Sequence, residues 1–263
     1  MRLAVAATAP FGADVLERLA AKHEITALLT RPDAPRGRGR RVAAPPAKEA
    51  AERLGIPILQ PRRSETGMDL GADTVVVAAY GLLIPEDVLD ERLWLNVHPS
   101  LLPRWRGAAP VERALMAGDT ETGVTIHRTV KALDAGPIAV QRAFPIGGDD
   151  DAGAVYAKAA PLAAVLLDEV LPDPHFTPQD EDGVTYADKI TAADRQLDWS
   201  RPPEELLRQI HALSPHIGAR AELEGRPVTI WRARLDDGTL VPVEVQPDGK
   251  RRMAYEEFLR GLR

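Results

Sequence analysis

The sequence contains no cysteine, no long apolar run and no glycine fingerprint for a dinucleotide. Without cysteine, the 263-residue chain can form neither a disulfide nor a thiolate zinc site, and it has no cysteine nucleophile. No stretch is long and apolar enough to predict a membrane span. The turn after the first predicted strand holds a single glycine, Gly12, instead of G-x-G-x-x-G. A dinucleotide-dependent oxidoreductase is therefore disfavoured.

An excess of positive charge is also absent. The formal net charge is -6, and a protein that binds nucleic acid over a large area is usually basic. A local basic patch remains compatible with this balance. The apolar fraction of 44% and the charged fraction of 27% are ordinary for a globular protein. We expect a cytoplasmic monomer that does not associate with a membrane.

The first two thirds of the chain alternate between strand and helix patterns. A predicted helix at 13–22 lies between apolar strands at 2–7 and 25–30, which is the βαβ arrangement of a parallel sheet. The pattern predicts an α/β fold with further strands at 58–60, 74–79, 93–97, 122–129 and 138–144, and further helices at 47–54, 85–89, 110–117 and 152–170.

The last third of the chain has a different pattern. Three prolines between 171 and 178 predict the end of the α/β domain, and a polar stretch follows. A helix is predicted at 204–213, a β-hairpin from 228–235 and 240–246, and a last helix at 255–263. We therefore expect a catalytic domain at 1–178, a linker at 179–200 and a small β-rich domain at 201–263.

Two polar residues end the predicted strand at 93–97. Asn96 and His98 are two positions apart, so in an extended chain their side chains lie on the same face. Open α/β sheets place their sites at the carboxyl ends of strands. Asp134 follows in a loop before Gly136, and a carboxylate there could orient an imidazole and raise its pKa.

These three side chains would suit acyl transfer or proton transfer, for example the attack of an amine on a formamide-like carbonyl. Asn96 could donate to the oxygen on which negative charge develops, and His98 could carry the proton. Each residue also has a simpler structural interpretation: Asn96 as a turn cap, His98 as a structural or surface residue, and Asp134 as a turn residue. Only their placement beside the Pro- and Arg-rich segment after His98 favours chemistry.

A second polar segment, RPDAPRGRGRR, is basic and rich in proline and glycine. It is predicted to be an irregular loop that could order on a phosphate backbone, although a solvated loop is the simpler alternative. Its candidate RNA-binding side chains are Arg36, Arg38, Arg40 and Arg41.

Several motifs resemble the methionyl-tRNA formyltransferase family. They are LNVHPSLLPRWRGAAP with the later LDAGPI, the basic segment, VVVAAYGLLIP, and VTYADKI with LDWS. The resemblance implies a Rossmann-like parallel-sheet formyltransferase domain joined to an OB-like C-terminal domain, which in this chain is short and predicted to be trimmed.

The resemblance also implies substrates and roles. The donor would be 10-formyltetrahydrofolate, and the acceptor would be the α-amine of methionine on initiator tRNA, in translation initiation. Asn96, His98 and Asp134 would be catalytic, and Arg38 would read the end of the tRNA acceptor stem. The segment that contacts folate would be Ser100, Leu101, Leu102 and Pro103. No metal is expected.

Two alternative functions and the roles of three residues stay open at this stage. A sugar-nucleotide N-formyltransferase would share the three catalytic residues but would not need the basic segment. A non-catalytic RNA-binding module would use only that segment. Arg104 and Arg106 could bind phosphate or brace the loop through carbonyl groups, and Trp105 could pack in the core or stack on a ligand.

Overall fold

The computed structural model describes residues 1–36 and 41–262, which divide into two compact units. The first unit consists of Met1–Arg106, Gly123–Ala143 and Ala157–Thr185. The second consists of Gly107–Thr122, Phe144–Tyr156 and Tyr186–Arg263. Each unit draws on separate stretches of the chain, whereas the predicted domains are continuous in sequence.

Strands and helices follow one another along most of the described chain. The strands are β1 (Arg2–Ala7), β2 (Glu24–Leu29), β3 (Ala34–Arg36), β4 (Arg41–Ala43), β5 (Ile58–Leu59), β6 (Thr74–Ala78), β7 (Leu93–His98), β8 (Arg106–Gly107), β9 (Glu121–Arg128), β10 (Ile138–Pro145), β11 (Tyr186–Ala187), β12 (Ala219–Leu223), β13 (Arg226–Asp236), β14 (Thr239–Pro247) and β15 (Met253–Ala254). The helices are α1 (Pro10–Ala20), α2 (Pro46–Leu54), α3 (Glu86–Leu89), α4 (Pro110–Ala117), α5 (Ala152–Val170), α6 (Ala192–Arg195), α7 (Pro203–Leu213) and α8 (Tyr255–Arg260).

The main sheet confirms the predicted α/β fold class. Its strand order is β10-β9-β7-β6-β1-β2-β5, and the strands from β7 to β5 are parallel to one another. Side chains of β1 and β6 are almost fully buried, as their continuous apolar sequences predict. β9 runs antiparallel to β7, with Asn96 opposite His127 and His98 opposite Thr125.

The structure corrects two local predictions in the first unit. Helix α1 begins at Pro10, inside the predicted turn, because proline lacks an N–H and is well suited to the first helical position. The basic segment was predicted to be irregular, but it contains β3 and the first residue of β4, which form a short antiparallel pair. Arg36 lies opposite Arg41 at the end of that pair.

Gly12 allows α1 to approach the sheet closely. A Cβ atom at this position would lie 2.2 Å from the Ala78 carbonyl oxygen and 2.8 Å from the Ala7 Cβ. Both neighbours belong to buried strands that have little room to move. The glycine in the first turn therefore serves helix–sheet packing.

The second unit contains the antiparallel sheet β12-β13-β14-β15. The β13–β14 hairpin, predicted from its sequence, is longer than expected, and β12 and β15 were not predicted. α7 supplies Leu206, Ile210 and Leu213 to the core under this sheet. The arrangement agrees with the expected small β-rich C-terminal fold.

Among the residues that the structure describes, no helix combines the length and the apolar character that crossing a membrane requires.

Replacing Gly12 by alanine should destabilise the protein, because the new methyl group would overlap backbone atoms. We expect Gly12→Ala to lower the free energy of unfolding by about 1–3 kcal/mol and to lower the melting temperature by several degrees. Gly148→Ala is the control, since a Cβ atom there would have no neighbour within 4 Å. Equal melting temperatures for the two variants would contradict the packing role of Gly12.

Candidate active site

Strand β7 delivers Asn96 and His98 to the carboxyl end of the parallel sheet. β6 pairs with it on one side, with Val77 opposite Asn96, and β9 pairs with it on the other, with His127 opposite Asn96. Asn96 is half-buried, whereas His98 is only 4% exposed. The sheet therefore fixes both polar side chains on backbone that cannot easily shift.

Asp134 reaches the same place from the loop between β9 and β10. Its Oδ1 atom accepts a hydrogen bond from Asn96 Nδ2 at 3.1 Å, and its Oδ2 atom lies 3.7 Å from His98 Nδ1. The backbone of Asp134 has a φ of 45°, in the left-handed region, where a residue other than glycine carries a cost of order 1–3 kcal/mol. The structure thus brings Asn96, His98 and Asp134 together.

The Asn96 amide is held between two partners. Its Nδ2 donates to Asp134 Oδ1 and also lies 3.0 Å from His127 Nε2. The Nδ1 atom of His127 lies 3.0 Å from the Arg128 carbonyl oxygen, which can only accept, so Nδ1 carries the hydrogen. In neutral His127, Nε2 is then an acceptor, and both hydrogens of the Asn96 amide are engaged.

His98 has a defined tautomer for the same reason. Its Nε2 atom lies 2.8 Å from the Trp105 carbonyl oxygen and must therefore donate. In the neutral ring the lone pair is on Nδ1, which faces Asp134 Oδ2. The 3.7 Å separation is too long for a direct hydrogen bond. Trp105, rather than Asp134, therefore fixes the orientation of the imidazole.

Burial keeps His98 neutral. Removal from water lowers the pKa of His98 below its ordinary value, and the Asp134 carboxylate only partly offsets this effect by favouring the imidazolium. The Trp105 carbonyl, which accepts from Nε2, also raises the pKa. A buried, unprotonated Nδ1 beside a carboxylate can accept a proton and then be stabilised by that carboxylate.

The segment after His98 forms a compact loop fastened to β9. Ser100 is fully buried, and its hydroxyl donates to the Arg104 carbonyl oxygen at 2.8 Å. Thr125 of β9 donates to the Ser100 carbonyl oxygen at 2.7 Å and accepts from the Leu102 N–H at 3.2 Å. Leu101 and Pro103 are half-buried, while Leu102 is buried. Leu101 and Pro103 therefore keep part of their apolar side chains exposed.

Arg104 and Arg106, for which phosphate binding and bracing were both left open, make different contacts. Arg106 donates from Nε and Nη2 to Gln179 Oε1, at 3.0 and 2.7 Å. The Arg104 guanidinium lies over the Trp105 ring, 4.4 Å from its centroid. Trp105 is half-buried, so its ring keeps some exposed surface instead of being enclosed in the core.

Only part of the predicted RNA-binding set can be located. Arg38 and Arg40 lie outside the described residues, and Arg36 and Arg41 are placed by their backbone in the β3–β4 pair. At the base of this segment Asp33 binds Lys48 Nζ at 2.9 and 2.8 Å and Gln60 Nε2 at 2.8 Å. These contacts lower the pKa of Asp33, with Lys48 as the main cause.

Within residues 1–36 and 41–262, no group of three or more acidic or histidine side chains is placed to hold a metal ion.

Comparisons with known proteins identify the family. The formyl transferase model matches residues 1–171, and the model of the formyl transferase C-terminal domain matches residues 189–240. A protein of Cereibacter sphaeroides named methionyl-tRNA formyltransferase is 40% identical, over all of this chain and 96% of its own length. The chain belongs to the methionyl-tRNA formyltransferase family.

Solved structures show the same fold at lower identity. HypX from Aquifex aeolicus in complex with tetrahydrofolic acid superposes with a TM-score of 0.71 and 19% identity; the match covers 98% of this chain and 46% of HypX. The N-formyltransferase from Helicobacter canadensis, in complex with folinic acid and dTDP-3-aminofucose, gives a TM-score of 0.69 at 15% identity, covering 96% of this chain and 98% of its own. At such identities these likenesses support the fold alone.

The contacts of two residues with the candidate active site were not predicted from the sequence. His127 was placed on a strand without a role, although its position on β9 is directly opposite Asn96. Gln179 was assigned to the linker, yet its Nε2 donates to the carbonyl oxygens of Asp134 and Gly136. The sequence alone could not place His127 beside Asn96, because that position depends on the antiparallel pairing of β9 with β7.

Removing the Asp134 charge should lower the pKa of His98 further, because the carboxylate favours the imidazolium. We expect the wild-type His98 to titrate below its ordinary value of about 6.5 and Asp134→Asn to titrate lower still, as measured by NMR of the imidazole. Asp14→Asn, which removes an exposed carboxylate paired with Arg18, should leave the titration unchanged. A rise in the His98 pKa in Asp134→Asn would contradict this geometry.

Proposed function

We propose that this chain transfers a formyl group from 10-formyltetrahydrofolate to the α-amine of methionine on initiator tRNA. The observation that carries the proposal is the convergence of Asn96, His98 and Asp134 at the end of β7, in a chain 40% identical to a methionyl-tRNA formyltransferase. The reaction would serve translation initiation in the cytoplasm. It needs no covalent intermediate and hence no cysteine.

His98 is the group that moves the proton. As the amine attacks the formyl carbon, the nitrogen must lose a proton, and the nitrogen of the departing folate must gain one. Neutral His98 offers the Nδ1 lone pair, while Nε2 stays bound to the Trp105 carbonyl. Asp134 stabilises the imidazolium from 3.7 Å, and the ring can then return the proton to folate.

Asn96 stabilises the charge on the formyl oxygen. Because Asp134 and His127 occupy both Nδ2 hydrogens, donation to the substrate requires the amide to turn from one partner or to share one hydrogen. A donor already aligned by the protein loses less free energy in reorganisation than one that must be ordered. The His127 contact provides that alignment.

Folate binds at the loop from Ser100 to Pro103. The side chains of Leu101 and Pro103 offer apolar contact for the pterin ring, whereas the Ser100 hydroxyl and the Leu102 N–H already have partners inside the protein. Ser100 and Leu102 therefore support the site from within.

The basic segment binds the acceptor stem of tRNA. Arg36, Arg38, Arg40 and Arg41 supply four positive charges within six residues, and the acid of the segment, Asp33, is paired with Lys48. Contacts to phosphates from one short segment fit a protein whose overall charge is negative. A protein whose acceptor is a sugar nucleotide would not need this cluster.

The direct test is transfer of a labelled formyl group from 10-formyltetrahydrofolate to Met-tRNA. His98→Ala should lose about 10²- to 10⁴-fold in kcat because proton transfer is removed, while folate affinity measured by titration stays within about threefold. Amino-sugar nucleotides are offered as competing acceptors. Formylation of the sugar but not of Met-tRNA would refute the proposal, and full activity of His98→Ala would refute the role of His98.

Arg38→Ala should weaken the use of Met-tRNA far more than the binding of folate. Loss of a phosphate contact raises the KM for tRNA and reduces the salt dependence of kcat/KM. Arg53→Ala, which removes an exposed arginine paired with Glu17, is the matched control and should behave as the wild type. Equal losses in tRNA use and folate binding would contradict this assignment.

A further inference from the structure

Gln179 uses its whole side-chain amide to connect an arginine to the loop that carries Asp134. Its Nε2 donates to the carbonyl oxygens of Asp134 and Gly136, at 2.8 and 2.7 Å. Its Oε1 accepts the two hydrogen bonds from Arg106. Both amide hydrogens and both acceptor positions of the oxygen are therefore occupied.

The orientation of this amide is fixed by chemistry. Backbone carbonyls can only accept and a guanidinium can only donate, so turning the amide over would place oxygen against two carbonyl oxygens and N–H groups against Arg106. Arg106 binds the oxygen through two N–H groups, which holds the plane of the amide as well as its position.

The backbone brings Gln179 to this place. Thr177 and Ile138 exchange two hydrogen bonds, Thr177 N–H to Ile138 oxygen at 2.9 Å and Ile138 N–H to Thr177 oxygen at 2.8 Å. This antiparallel bridge sets residues 177–179 alongside residues 136–138. The Gln179 side chain then lies within reach of the two carbonyls of the Asp134 loop.

The loop that carries Asp134 also packs closely against the end of β9, and its backbone is strained at Asp134. A Cβ atom on Gly136 would lie 1.7 Å from the Arg128 carbonyl oxygen, so the loop is pressed against the end of β9 at this residue. Asp134 itself has the left-handed φ of 45°. A contact that fixes the carbonyls on both sides of Ala135 opposes relaxation of this conformation.

We propose that Arg106 and Gln179 are positioning residues, a brace that holds the Asp134 carboxylate beside His98 and Asn96. The brace acts through the backbone of residues 134–136, and its role requires no contact with either substrate. The proposal rests on the proposed function only in assigning a catalytic use to Asp134. Its geometric content, the distance between the carboxylate and the imidazole, can be measured independently of activity.

Gln179→Ala tests the brace by kinetics. Release of the loop should reduce kcat for formyl transfer by about 10- to 100-fold, since misplacement of a catalytic group by about 1 Å can cost 10²-fold. The KM values for folate and Met-tRNA should change less than threefold. Gln179→Glu should behave similarly, because a carboxylate keeps the contact with Arg106 but cannot donate to the two carbonyls.

A double variant tests whether Arg106 and Gln179 act together as one brace or have independent structural roles. Arg106→Ala should lower kcat, and the Arg106→Ala/Gln179→Ala double variant should be no slower than Gln179→Ala alone. Gln246→Ala is the matched control, because the Gln246 amide likewise connects a side-chain N–H group to a backbone carbonyl. Its Oε1 accepts from the Trp231 ring N–H, and its Nε2 donates to the Lys250 carbonyl oxygen. The Gln246→Ala variant should keep kcat within twofold of the wild type. Multiplicative losses in the double variant would overturn the proposal.

The second readout is the NMR titration of His98. Withdrawal of the Asp134 carboxylate should lower the pKa of His98 in Gln179→Ala and in Arg106→Ala relative to the wild type. If the variants lower the pKa of His98 but the wild-type protein fails to formylate Met-tRNA, the brace is supported and the proposed function is refuted. An active wild type whose His98 pKa and kcat are unchanged in folded Gln179→Ala and Arg106→Ala would overturn the brace.

Discussion

The hydrogen bonds of the Asn96 amide hold the candidate active site together. They join a strand residue, Asn96, to the neighbouring strand through His127 and to a loop through Asp134. Because each Nδ2 hydrogen has its own partner, neither the loop nor the histidine can move without leaving a donor or acceptor unpaired. An unpaired polar group in a buried place costs about 1–3 kcal/mol, so the arrangement is largely set before substrate arrives.

Burial then decides the protonation of the site. His98 is so little exposed that the neutral imidazole is favoured in spite of the nearby carboxylate. The Trp105 carbonyl holds the proton of the neutral ring on Nε2 and leaves Nδ1 directed towards Asp134. A histidine in water would be partly protonated near pH 6.5. Here the protein favours the neutral ring and places a carboxylate 3.7 Å from Nδ1, which is the arrangement that the proposed proton transfer requires.

The sequence predicted the parts of this arrangement that depend on local pattern. The apolar strand before Asn96 and the two-residue spacing to His98 were sufficient to place both at a strand end. Asp134 was suggested by its chemistry as well as by the family motif, and the structure brings it to the other two. The segment expected to contact folate came from the family motif alone. The continuous apolar strands likewise predicted the parallel sheet.

The contacts that were missed depend on pairing between distant segments. The antiparallel register of β9 with β7 places His127 opposite Asn96. The bridge between Thr177 and Ile138 places Gln179 beside the loop that carries Asp134. Neither pairing is encoded in the residues next to it. The short β3–β4 pair was missed because proline and glycine in its sequence favour irregular structure.

The most direct test of the account compares two titrations of the wild-type enzyme. The first is the pH dependence of kcat/KM for formyl transfer to Met-tRNA, and the second is the NMR titration of the His98 imidazole. If neutral His98 is the group that accepts the proton, kcat/KM should rise with pH, and its midpoint should coincide with the pKa of His98, below about 6.5. A rate that falls as His98 loses its proton, or a midpoint more than about one pH unit from the pKa of His98, would contradict the account.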